Sequence, residues 1–123
     1  MNIGNQGGFG MAKYECTVNG NFSDFSRYIH DEIMNGSISA SYEDGCTYRH
    51  ADGMTEMSVF ERYSYAGGNR VSLSVLLTQT GDNTIRVCAV TSGGSQAMFF
   101  KLNTWGEESF LDRFREAVDR YRG

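Results

Sequence analysis

The sequence predicts an α+β fold: a strand, a helix, an antiparallel meander of four to six strands, and a closing helix packed across the concave face of the curved sheet. Three observations predict it. Residues alternate with a period of two from Lys13 to Val18, apolar residues recur at three and four in two separate segments, and turn signals are regularly spaced between those segments. A sheet with one dry face has to cover that face, and two amphipathic helices are available to do so.

Each element has its own warrant. Tyr14, Cys16 and Val18 alternate with Lys13, Glu15 and Thr17, the pattern of a half-buried strand. Phe22, Phe25, Ile29 and Ile33 then mark a helix, with Asn21 as N-cap and Gly36 as the expected left-handed residue beyond its end. Turn signals follow at Asp44-Gly45, Asp52-Gly53, Gly67-Gly68-Asn69, Gly81-Asp82-Asn83 and Gly93-Gly94; five turns imply six strands. Val71, Leu73, Val75 and Leu77 alternate with Ser72, Ser74 and Thr78, and Ile85, Val87 and Ala89 with Thr84, Arg86 and Cys88. Thr104 and Glu107 form a capping box for the last helix, whose apolar stripe is Phe110, Leu111, Phe114, Ala117, Val118 and Tyr121. Glu116 to Arg120 is a favourable pair on its polar side.

The first ten residues, MNIGNQGGFG, are uncharged and lead directly into Met11. Gln6-Gly7-Gly8 can be encoded by AAGGAGG, which has the form of a bacterial ribosome-binding site just upstream of the Met11 codon. Residues 1–10 are therefore expected to be a disordered leader outside the native coding sequence, and residues 11–123 a single domain.

With 123 residues, one core is expected. The net charge of -4 argues against a polyanionic partner, since non-specific nucleic-acid affinity comes from Lys and Arg neutralising phosphates. No apolar run is long enough to span a membrane, and no secretory signal is present at the N-terminus. A cytoplasmic location follows, and Cys16, Cys46 and Cys88 are expected as reduced, small apolar fillers.

The element order from Lys13 to Tyr121 resembles the helix-grip Bet v 1/START-like group and the shorter TATA-binding-protein-like fold. The stretches NRVSLSVLL, TSGGSQAMFFK and NTWGEESFLD are similar to those of a family of short bacterial proteins, a domain of unknown function. That similarity implies a single domain and no catalytic residue.

The chemistry-bearing motifs are sparse. Gly93-Gly94 leads into SQAMFF, a strand sequence rather than a helix N-terminus, so the pair is a hairpin and not a phosphate loop. Cys46 and His50 supply two of the four ligands that a closed zinc site needs, and neither a paired nucleophile and base nor G-x-S-x-G occurs, so no cofactor and no metal are expected and an enzyme has no positive support. Placing Val59 inward puts Glu61, Tyr63 and Tyr65 on the dry face and Phe60 outward. On that register a small apolar or amphipathic ligand is expected between the sheet and the C-terminal helix. Tyr63, Tyr65, Phe100, Trp105 and Phe114 would line its site, with Glu61 and Arg70 as polar hooks. A bulge near Glu61 would reverse the register. The alternative is a non-enzymatic interaction module or homodimer with a filled core, its outward Phe60, Leu76, Val90 and Phe99 forming the contact stripe.

Overall fold

The computed structural model describes residues 12–36, 40–63, 70–93 and 110–123. The elements are β1 (Ala12–Asn19), α1 (Phe22–Asn35), β2 (Ser41–His50), β3 (Gly53–Tyr63), β4 (Arg70–Gly81), β5 (Thr84–Gly93) and α2 (Phe110–Arg122). They build the expected strand, helix, antiparallel meander and helix, with five strands in the order β1-β5-β4-β3-β2. The sheet is open, and β1 reaches it by pairing with β5.

Both helices lie on one face of the sheet. The apolar alternations of β4 and β5 place Val71, Leu73, Val75, Leu77, Ile85, Val87 and Ala89 in the core. α2 packs against β1, β4 and β5, burying Phe110, Leu111, Phe114, Ala117 and Val118 as its stripe requires. α1 rests beside α2: the Tyr28 hydroxyl donates to the Ala117 carbonyl at 2.6 Å, and Phe25 and Tyr121 meet edge to face at 4.8 Å. Burial pushes the Tyr28 phenol above its ordinary range. Arg120 reaches across to Glu32 of α1 at 2.5 Å, so the helix pair shares the charge expected to bind within α2.

Local chemistry sets the ends of α1. The Asn21 side chain accepts from the Asp24 N–H at 2.9 Å, as an N-cap should. Gly36 is right-handed, with φ -83 and ψ -7, so it does not adopt the left-handed cap; its N–H continues the helical pattern to the Glu32 carbonyl. Thr104 and Glu107 lie outside the described residues.

Asp44-Gly45 is not a turn. It lies within β2, where the register against β3 shifts between Tyr42 and Asp44, so two predicted strands are one bulged strand. Asp52-Gly53 and Asp82-Asn83 are true hairpins, and both carry positive φ, +136 at Gly53 and 58 at Asn83. The sixth strand, SQAMFF, falls outside the described residues.

The register of β3 is the main correction. Phe60 is 0% exposed and faces the core, while Val59 and Glu61 point to the outer face. A bulge in β3 is not the reason, since β3 pairs with β4 in unbroken register from Thr55 to Tyr63. The phase is set by what has to be buried: the aromatic ring of Phe60 carries more apolar area than Val59. The consequence is that Glu56 and Ser58 share the inward face.

Candidate functional site

Ser26 and His30 follow the buried Phe22 at four-residue spacing on α1 and flank the rest of its buried stripe. Opposite them, β3 turns Met54, Glu56 and Ser58 inward, and β2 adds Thr47, which pairs with Glu56. Between helix and strands lies an open groove of about 400 Å³, lined by Phe22, Ser26, Arg27, His30, Thr47 and Glu56 among others. Ser26 Oγ donates to Glu56 Oε1 at 2.5 Å. His30 Nε2 is 3.1 Å from Ser58 Oγ and 4.0 Å from Glu56 Oε1.

An aromatic cluster closes one end. The His30 ring meets Phe60 edge-on at 5.1 Å and Tyr42 at 5.7 Å, and Tyr42 meets Phe60 at 5.6 Å. Tyr42 can fold over β2 because the next inward residue is glycine. A Cβ at Gly45 would come 2.3 Å from the Met57 carbonyl oxygen and 2.7 Å from the Tyr42 hydroxyl. Sequence chemistry thus shapes both the floor and the wall.

The arrangement suits accepting a hydrogen bond better than nucleophilic attack. A serine bonded to a histidine resembles a nucleophile with its base, but Ser58 is 3% exposed and its oxygen is out of a substrate's reach. Glu56 lies by the same Nε2 that Ser58 occupies, whereas a triad acid orients the ring through the other nitrogen. Glu56 keeps unused acceptor capacity, because a carboxylate has about four lone-pair sites and Ser26 takes one. Phe22 and Met54 offer apolar contact nearby.

Of the sequence-predicted residues, Glu61, Arg70 and Phe114 lie away from this groove. Glu61 is on the outer face, where it forms an ion pair with Arg70 of β4. Tyr63 pairs with Arg70 in the ladder. Phe114 is 1% exposed on the opposite side of the sheet, edge-on to Tyr14 at 6.2 Å. Tyr65, Phe100 and Trp105 lie outside the described residues, as does Phe99. The structure therefore brings Glu61 and Arg70 together and separates both from Phe114. Where α2 meets α1 and the sheet, the described residues leave a cavity of about 10 Å³ beside Ile33, Arg62, Phe110 and Phe114, room for one water at most.

Cys46 is exposed on β2 and is no core filler, while Cys16 and Cys88 are half-buried; all three thiols are free. Cys46 and His50 are separated by four residues of extended strand, about 13 Å at strand rise, too far to share an ion. The sequence reading missed Ser26, His30, Thr47, Glu56 and Ser58. The available signal was Ser26 and His30 at i and i+4 on the flank of an apolar stripe.

Fold and groove together define a small two-layer α+β domain whose described residues form an open, partly polar groove. The chain belongs to the family of unknown function DUF6054, whose model matches residues 11–122. No curated protein matches it. None of the described helices is long and apolar enough to cross a membrane.

Proposed function

We propose that this domain binds a small amphipathic molecule, one that donates hydrogen bonds, in the groove between α1 and the β2–β3 hairpin. The observation that carries the reading is Glu56: a carboxylate, its side chain 20% exposed, on the inward face of the sheet directly beside buried Leu77. A charge in such a place needs partners, and Ser26 supplies only one of them. A ligand amine or hydroxyl would supply another, with its carbon body against Phe22 and Met54. The groove volume falls in the usual range for small-molecule sites. This reading places the ligand beside α1 rather than between the sheet and α2. Three free thiols suit a reducing compartment, in keeping with a small bacterial cytoplasmic protein of helix-grip type.

The test is an NMR titration of isotope-labelled protein with short-chain amines and alcohols, phenethylamine first. Shifts should gather at Ser26, His30, Thr47, Met54 and Glu56. If they gather instead on the outer face, or no compound perturbs the groove at millimolar concentration, the reading fails.

A further inference from the structure

Among the described residues β2 is one of the two edge strands of the sheet, and all ten of its residues are exposed. Edge strands present unpaired N–H and C=O groups, and proteins guard them with proline, lysine, a bulge or a covering element. β2 has no proline and no lysine. Its bulge sits at the N-terminal end and leaves Asp44 to His50 in unbroken register with β3. In an antiparallel ladder alternate residues turn their backbone groups away from the partner strand. The Gly45 N–H marks the phase, since it donates at 2.7 Å to the Asp44 side chain rather than to β3. Thr47 and Arg49 follow the same phase, which leaves a row of donors and acceptors along the free edge.

The charged residues on this strand are sorted by end. Glu43 and Asp44 stand near its start and Arg49 near its finish, followed by His50. An antiparallel copy of the same strand would present the basic end to the acidic end, twice by symmetry.

We propose that β2 pairs antiparallel with β2 of a second copy about a two-fold axis through Cys46, joining two five-stranded sheets edge to edge. A two-fold axis normal to the sheet preserves its faces, so paired residues must share a face. In this register Glu43 stands opposite Arg49, Asp44 opposite Tyr48 and diagonal to His50, Gly45 opposite Thr47, and Cys46 opposite its own copy. Shifting the axis to Thr47 leaves Glu43 opposite Ala51, beyond the strand; shifting it to Gly45 sets Arg49 against Ser41. The axis through Cys46 therefore matches the charges best and overlaps most of the strand. Pairing exchanges the local bond of Asp44 to Gly45 for an inter-copy ladder. It also covers Tyr48, which is 67% exposed in the single chain. Each groove, through its Thr47, then borders the seam.

Charge exchange tests this in the full chain by sedimentation. One variant carries Glu43→Lys with Asp44→Lys, the other Arg49→Glu with His50→Glu; all four positions are exposed, and circular dichroism checks that both variants fold. The wild type should sediment, as concentration rises, at twice the 13.7 kDa chain mass. Each variant alone should associate about tenfold more weakly or worse, because like charges then meet at both ends. An equimolar mixture should regain the doubled mass, since each variant complements the other. A wild type that stays single at every concentration overturns the proposal, and so does a mixture that fails to recover. Variants that dimerise as well as the wild type overturn it too, and point to another face such as outward Met57 and Leu76.

Discussion

Along one row of the inward sheet face, Val87 and Leu77 are each 1% exposed, and the same row ends on Glu56 and Thr47. The next row runs from Ala89 and Val75 to Ser58 and Gly45. The face is thus two regions: a dry half on β1, β5 and β4 beneath α2, and a polar half on β3 and β2 facing the Ser26–His30 edge of α1. Fully burying a valine or leucine stabilises a fold by about 1.5–3 kcal/mol, so the polar half forgoes several such contributions. Nothing in strand formation asks for Glu56 or Ser58 there. The contrast teaches that one continuous face can be divided between an apolar region that holds the fold and a polar region that borders an open groove.

Truncations on either side should bring out this division most strongly. Phe114→Ala, in the dry half, should lower unfolding stability by about 3–5 kcal/mol in a urea titration. Tyr42→Ala, on the polar side and 48% exposed, should cost about 1 kcal/mol, the worth of its ring contacts. Equal losses would erase the distinction. A smaller effect sharpens the role of α1, the one helix that serves both halves: Asn21→Ala removes its N-cap and should lower stability by about 1 kcal/mol in the same titration.

The smallest effect is alkaline and belongs to the dry half. The Tyr14 phenol is pushed up to about 12, chiefly by burial and then by its hydrogen bond with Cys16. The folded state therefore favours the neutral phenol. Its contribution is complete below pH 10, the unfolded value, and is lost as pH rises through about 12. Tyr14→Phe should flatten that alkaline decline; Tyr28, raised in the same direction, sustains the remainder.

Much of the dry half was legible because its residues obey one period. Val71 to Leu77 and Ile85 to Ala89 alternate without interruption, and the stripes of α1 and α2 recur at three and four. The polar half resists such reading for the same reason that it is of interest. In β3, Met57, Val59 and Phe60 give no clean alternation, and the inward phase includes a carboxylate and a serine, which pattern arguments assign to solvent. Only the pairing of Phe60 with Leu73 fixes the phase. The bulge beside Asp44 likewise imitates a turn, because Asp-Gly serves both purposes. His30 carries no local signal of its partners, because its neighbours in space, Ser58 and Tyr42, are distant in sequence.

On the proposed function, Glu56 is held on the inward face for binding and not for folding. Glu56→Leu tests it most directly, since leucine would extend the Val87–Leu77 row across the sheet. Urea unfolding should show stability unchanged or raised by about 1 kcal/mol, while the groove shifts induced by phenethylamine disappear. A loss of more than about 1 kcal/mol with those shifts intact would contradict the account, because Glu56 would then be a structural member of the core.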